Sequence, residues 1–195
     1  MNNLDNVSCR QAASEWLHED LLGEDEGPPI VILSASPDWV ELLAPCEVET
    51  AHRMLSLMSW FLADLNEQFR DSVEQALHEL LFNAVEWGGG LDPSKQVRIS
   101  FLRGQRMVLF RIADPGRGFR LRDLTHSAIN NPVGHPALHM EEREKKGLRP
   151  GGYGLMMVRA AVDELIYNEL QNEVVIIKYL DAASSRTGSD FSEER

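Results

Sequence analysis

Residues 78–90, with the sequence HELLFNAVEWGGG, carry the pattern from which the architecture of this chain is worked out. At 100° per residue, apolar residues of this segment and the turn before it fall on one side of a helix: Leu77, Leu80, Leu81, Ala84 and Val85. The polar residues fall on the opposite side: Glu79, Asn83 and Glu86. We therefore predict a helix over about residues 70–87 that ends at the three glycines, because glycine commonly follows a helix C-terminus.

The polar side of this helix has two interpretations. It is either a solvated face or a wall from which Glu79 and Asn83, four residues apart, project together into a pocket. In the second case the carboxylate would act as a general base, and the amide oxygen would hold a hard cation such as Mg²⁺. Periodicity alone does not choose between the two.

Short strands and helices are predicted on both sides of this segment. The predicted strands cover 30–33 (at a sheet edge), 39–43, 97–101, 108–112, 165–168 and 174–179, and the other helices cover 8–22, 47–65 and 155–165. The helices are segregated from mostly antiparallel strands, so we predict an α+β fold, a two-layer sandwich with helices on one face of the sheet. A Rossmann fold would need strictly alternating strands and helices.

Composition and charge exclude several classes of protein. The 195 residues include 19 Lys+Arg and 31 Asp+Glu, for a net charge of −12, which disfavours nucleic-acid binding. No apolar run approaches the roughly 18–20 residues that span a bilayer, and the N-terminus lacks a signal-peptide pattern. Two cysteines are too few for a disulfide framework, so a reduced, cytoplasmic protein is expected, with no membrane partner.

The acidic charge is concentrated near the N-terminus. Residues 1–26 hold seven acids and one base, which is half of the net charge. We therefore divide the chain into an acidic appendage at 1–37, a globular domain at 38–181 and a polar tail at 182–195. The acidic segment is interpreted either as a partner contact or as an aid to solubility.

Two glycine-containing loops are further candidates for binding. The segment Asp114-Pro-Gly116-Arg-Gly118 follows a predicted strand and is either a tight turn or a place where the backbone approaches a flat ligand closely. In the second case the Asp114 carboxylate would accept a hydrogen bond from an exocyclic amine of the ligand. The segment 149–154, RPGGYG, precedes a helix and is either a hinge or an anion cradle. The whole loop over 114–154 is long enough to suggest a lid or binding segment.

In this order, the three motifs resemble those of the GHKL ATP-binding superfamily, which includes gyrase, chaperone, histidine-kinase and mismatch-repair ATPase domains. They stand as Glu79-Leu-Leu-Phe-Asn83-Ala84, Asp114-Pro-Gly116-Arg-Gly118 and Gly152-Tyr-Gly154-Leu155. Within the superfamily, the compact size and HELLFNAVEWG are most similar to the anti-sigma-factor serine/threonine kinases. The resemblance covers roughly residues 38–180.

The resemblance implies a role for each motif and a set of ligands. Glu79 would be the base that orients the attacking hydroxyl, and Asn83 would hold Mg²⁺. Asp114 would accept a hydrogen bond from the adenine amine. Glycines and one leucine would complete the ATP site, with Gly116 and Gly118 making room for the base and the phosphate loop containing Gly152, Gly154 and Leu155. The implied partners are a small anti-anti-sigma (STAS-like) substrate and, by sequestration, a sigma factor, with the kinase itself a homodimer.

Departures from the family pattern keep two alternatives open. Glu86-Trp87 stands where many relatives have a histidine, and the strand Val174–Ile177 offers no Thr or Ser hydroxyl for the nucleotide. The alternatives are a nucleotide-gated binding module without kinase activity and a histidine-kinase catalytic domain. The latter is disfavoured because none of the six histidines has a clear phosphoacceptor setting. A zinc-protease motif fails at Phe82, and a Walker loop fails at Tyr153.

Overall fold

The computed structural model describes residues 30–36, 39–119 and 153–180. The helix predicted over 8–22, the tail from 182 and most of the loop predicted over 114–154 lie outside the described residues. None of the described helices is both long and apolar enough to cross a membrane.

The described chain forms one six-stranded antiparallel sheet and three α-helices. The strands are β1 (Val31–Ser36), β2 (Trp39–Pro45), β3 (Gln96–Arg103), β4 (Met107–Ala113), β5 (Glu164–Tyr167) and β6 (Glu173–Tyr179); the helices are α1 (Val48–Phe61), α2 (Glu67–Asn83) and α3 (Gly154–Ala161). The strand order is β1-β2-β3-β4-β6-β5, with every neighbouring pair antiparallel. The prediction of an α+β fold is confirmed, and β1 lies at an edge as expected.

The core lies between one face of the sheet and the helices. Along β2 and β4 every second residue is buried, as the period of a strand with one covered face requires. Buried strand residues pack with buried helix residues in a single apolar cluster that includes Leu42, Ile99, Phe101, Phe110, Met54, Met58, Leu77 and Leu81. This packing fixes α2 against the sheet and so sets the direction in which its polar side faces.

The limits of α2 differ from the predicted ones at both ends. The helix begins at Glu67 because the Asn66 side chain caps it, accepting a hydrogen bond from the Phe69 N–H at 2.8 Å. After Asn83 the chain continues as a π-helical turn over Ala84–Gly88. The glycine run does end the helix, since Gly90 has a φ of +72°, a conformation that favours glycine.

The other two helices are shorter than their apolar spacing suggests. The helix predicted over 47–65 ends at Phe61, and buried Leu62 and Leu65 belong to the turn that follows, where each N–H donates to a carbonyl three residues back. The helix predicted over 155–165 ends at Ala161, and β5 begins at Glu164. Apolar residues at helical spacing thus continue into the adjoining turn or strand, and spacing alone does not distinguish them.

Candidate functional site

One wall of a cavity of about 370 Å³ is the polar side of α2. Glu79 and Asn83 both line this cavity and are half-buried. Within the residues that the structure describes, neither side chain has a hydrogen bond or an ion pair. The two groups share a recess with hydrogen-bonding capacity that no described residue uses, which favours the interpretation of this side as a pocket wall.

Another part of the cavity wall carries Asp114, directly after β4. Its N–H donates to the Asn172 carbonyl at 2.9 Å, and its Oδ1 accepts from the Gly116 N–H at 2.7 Å. Burial raises the pKa of Asp114, and the hydrogen bond from Gly116 opposes that rise. The second carboxylate oxygen has no hydrogen-bond donor among the described residues, so it remains an acceptor on the cavity wall.

The π-helical turn brings the end of α2 against Asp114. A Cβ on Gly88 would overlap the Asp114 carboxylate, and a Cβ on Gly89 would overlap the side chain of Cys46. The two glycines therefore let the backbone lie between Asp114 and Cys46. The helix stop predicted at the three glycines does not indicate this packing, although π-bulges are frequent at functional sites.

Gly116 and Gly118 bring loops of the protein together. A Cβ on Gly116 would lie 2.9 Å from the Gly88 Cα. Gly118 has a φ of +74°, and a Cβ there would overlap the backbone carbonyl oxygen of Leu170. Both glycines line the cavity, but the position that a Cβ would take at each one is occupied by other atoms of the protein. The glycines therefore make room for the protein's own loops, and the expectation that they make room for the base is not needed to explain them.

The turn between β5 and β6 closes the same wall. The Asn172 Nδ2 donates to the Gly116 carbonyl at 3.1 Å, while its Oδ1 accepts from the Asn168 Nδ2 at 2.8 Å. Glu173, next along the chain, forms two hydrogen bonds of 2.7 Å with the Arg111 guanidinium, which lowers the pKa of Glu173. Asn172, in the turn between the two strands, thus fixes the loop that carries Asp114.

The N-terminus of α3 lies against Glu79. A Cβ on Gly154 would overlap the Glu79 Oε2, so glycine at this position permits the close approach. Gly154 and Leu155 both line the cavity, and the α3 N-cap residue Tyr153 provides no side-chain cap. Unsatisfied N–H groups and the helix dipole make such a terminus favourable for an anion. Gly152 lies outside the described residues.

Aromatic and apolar side chains also line the cavity. The rings of Phe119 and Tyr167 meet edge to face with centroids 5.7 Å apart, and Ile112 and Val174 lie on the same lining. Trp87 is 72% exposed at the cavity wall. The cavity thus combines an apolar lining beside a carboxylate acceptor with a helix N-terminus, which suits a planar amine-bearing group joined to an anion.

Comparison with protein families agrees with this geometry. The family model described as the histidine kinase-like ATPase domain matches residues 44–178, more than two thirds of the chain. The chain belongs to the histidine kinase-like ATPase domain family. It is therefore a GHKL-type module for binding ATP. No curated protein sequence matches the chain.

The described residues fit the ATP that membership of the histidine kinase-like ATPase family implies. The Asp114 carboxylate offers an acceptor for the adenine amine, and the apolar lining from Phe119 and Val174 suits a flat base. Gly154, at the first turn of α3, lies where the helix terminus favours phosphate. The two ends of the nucleotide thus each have a chemically suitable wall.

The donor set for Mg²⁺ is incomplete without the nucleotide. No cluster of three or more His, Cys, Asp or Glu side chains capable of holding a metal occurs in the described ranges. Asn83 offers one amide oxygen and Glu79 one carboxylate on the cavity wall. Mg²⁺ usually combines one or two protein oxygens with phosphate and water ligands, so this set fits a cation that arrives with ATP.

Proposed function

We propose that this chain is an Mg-ATP-dependent serine/threonine protein kinase of the anti-sigma-factor type. Its substrate would be a hydroxyl of a small anti-anti-sigma-like (STAS-like) protein, and a sigma factor would be the second partner, held by sequestration. The kinase would act in the cytoplasm as a homodimer. The resemblance of HELLFNAVEWG to that kinase group supports these finer assignments, beyond the ATP binding that the family match gives.

One observation carries the kinase proposal. The half-buried Glu79 carboxylate has no partner in the described part of the chain, and it lies against the N-terminus of α3, where an anion is favoured. A carboxylate beside a phosphate site is suited to orient an attacking hydroxyl and to accept its proton. Glu79 would therefore act on the hydroxyl of the partner protein.

The remaining residues would position the reactants. Asp114 would accept a hydrogen bond from the adenine amine, and the first turn of α3 at Gly154 would hold the phosphates. Asn83 would be a protein ligand for Mg²⁺, which supplies charge neutralisation to the phosphates when it is bound. Positioning and electrostatic stabilisation account for most of the catalysis in phosphoryl transfer, so a rigid pocket with few catalytic groups is sufficient.

The experiment is transfer of labelled γ-phosphate to a co-encoded STAS-like protein by the wild-type chain, Glu79→Gln and Glu74→Gln. Glu74 is the matched control, since it lies on α2 outside the cavity and pairs with Arg70. Loss of a general base lowers the rate by about 10²- to 10⁴-fold, so Glu79→Gln should lose that much transfer while ATP affinity stays within about threefold. Glu74→Gln should resemble wild type.

Two results would contradict the kinase proposal. If Glu79→Gln transfers phosphate as fast as wild type, Glu79 is not the base. If the wild-type chain binds ATP and the partner yet transfers no phosphate, the nucleotide-gated binding module becomes the better assignment.

A further inference from the structure

The Tyr167 side chain is a polar group of the cavity that the assigned motifs do not use. Tyr167 ends β5 and pairs with Val174 of β6, so the two side chains lie on the same face of the sheet. Both line the cavity together with Asp114. The edge-to-face contact with Phe119 holds the tyrosine ring in place.

The Tyr167 hydroxyl is an unused donor. No hydrogen bond to it occurs among the described residues, although most of the side chain is withdrawn from water. Burial and then the charge of Asp114 raise the pKa of Tyr167, so the phenol stays protonated at neutral pH. The hydroxyl itself is not fully enclosed by protein, so it is open to a ligand or to water in the cavity.

The other polar groups near Asp114 are engaged by protein partners or exposed. The Asn172 amide donates to the Gly116 carbonyl, and Glu173 is held by Arg111. Arg117 is exposed. β6 contributes Val174 to the cavity lining, which has no hydroxyl. Tyr167 is thus a half-buried neutral donor on the same cavity lining as the Asp114 acceptor.

We propose that Tyr167 and Asp114 together recognise the base of the nucleotide. Asp114 accepts a hydrogen bond from the exocyclic amine of adenine, and the Tyr167 hydroxyl donates to the adjacent ring nitrogen N1, directly or through one water. In guanine the position of the amine carries a carbonyl oxygen, which accepts a hydrogen bond, and the N1 position carries an N–H, which donates one. Guanine would therefore face Asp114 with an acceptor and Tyr167 with a donor. The pair therefore selects adenine over guanine, and the inference rests on the ATP binding of this same site.

The test is a calorimetric titration of wild type, Tyr167→Phe and Tyr179→Phe with ATP and with 1-deaza-ATP, in which a C–H replaces N1. Tyr167→Phe keeps the ring that contacts Phe119 and removes only the hydroxyl. Tyr179→Phe is the matched control, because the Tyr179 hydroxyl donates to Glu164 and Tyr179 does not line the cavity.

A hydrogen bond lost to a buried group weakens binding by about tenfold. Wild type and Tyr179→Phe should therefore bind 1-deaza-ATP about tenfold more weakly than ATP. Tyr167→Phe should bind ATP about tenfold more weakly than wild type does and should bind the two nucleotides within about twofold of each other. A purely structural effect of Tyr167→Phe would weaken both nucleotides alike.

Two outcomes would overturn the inference. If wild type and Tyr167→Phe lose the same factor when N1 is replaced, the hydroxyl does not contact the base, while the ATP site itself stands. If the wild-type chain binds no ATP at all, the proposed function fails and the role of Tyr167 fails with it.

Discussion

Replacing Gly118 by alanine should damage both the stability of the domain and its ATP site. Gly118 has a φ of +74°, and the added Cβ would overlap the Leu170 carbonyl oxygen, which is backbone and cannot rotate away. The left-handed conformation costs a residue with a Cβ about 1–2 kcal/mol, and overpacking costs about 1–3 kcal/mol more. We therefore expect Gly118→Ala to lower the free energy of unfolding by about 2–5 kcal/mol.

Gly90→Ala provides the matched control. Gly90 has nearly the same φ, +72°, but a Cβ there would meet nothing closer than the Lys95 Nζ at 4.0 Å. Gly90→Ala should therefore cost only the backbone strain, about 1–2 kcal/mol. The difference between the two variants isolates the collision with the turn that joins β5 to β6.

The assay is thermal unfolding together with ATP titration. For a chain of this size 1 kcal/mol shifts Tm by about 2–4 °C, so Gly90→Ala should lose about 2–8 °C and Gly118→Ala about 4–20 °C. Gly118→Ala should also weaken ATP binding by about tenfold or more, because the turn next to Asp114 is displaced, whereas Gly90→Ala should not. Equal losses of stability with unchanged ATP affinity in both variants would refute the reasoning.

Three further predictions concern charge and metal. Burial raises the pKa of Asp114 in the folded chain above its ordinary value of 3.8, so between the two pKa values the unfolded chain binds fewer protons than the folded one and stability falls as pH rises. Asp114→Asn should remove this fall, measured by thermal unfolding, and should weaken ATP binding at least about tenfold. An unchanged ATP affinity would contradict this prediction. Arg111 lowers the pKa of Glu173, so this pair stabilises the fold above the ordinary pKa of Glu173, and the stabilisation is lost as pH falls through the lowered pKa. Arg111→Met should lower the free energy of unfolding by up to about 1 kcal/mol at neutral pH and should abolish this pH dependence. Denaturant unfolding that shows no loss of stability in the variant would contradict the pairing. Mg²⁺ without ATP should leave Tm unchanged, because the described residues contain no cluster of three metal-ligating side chains. When ATP is present, Mg²⁺ should strengthen its binding. A shift of Tm by Mg²⁺ without ATP would count against this prediction.

Local patterns predict which of the described segments are helices or strands, but not where the helices end, and they predict one wall of the site. The four-residue spacing of Glu79 and Asn83 placed both on one side of α2, and alternation of apolar residues placed the strands of the central sheet. These features depend on the helix and strand periods, which any short segment carries. The family resemblance, carried by three ordered motifs, agrees with the match over residues 44–178.

The rest of the site depends on strand order and on the shape of helix ends. Tyr167 lies beside Asp114 because β6 pairs with both β4 and β5, and no local pattern encodes that order. Gly88 lies against Asp114 because the end of α2 widens into a π-helical turn, which periodicity does not predict. The sequence therefore predicts the motif residues but not the residues that hold the motifs together.

Calorimetric titration of the wild-type chain and Asp114→Ala with ATP in the presence of Mg²⁺ tests whether this cavity is the nucleotide site. The wild-type chain should bind one ATP with a Kd below about 1 mM, and Asp114→Ala should bind at least about tenfold more weakly, because a hydrogen bond to a charged acceptor contributes about 1.5–3 kcal/mol. Absence of wild-type binding at millimolar ATP, or equal affinity in the two proteins, would contradict the assignment.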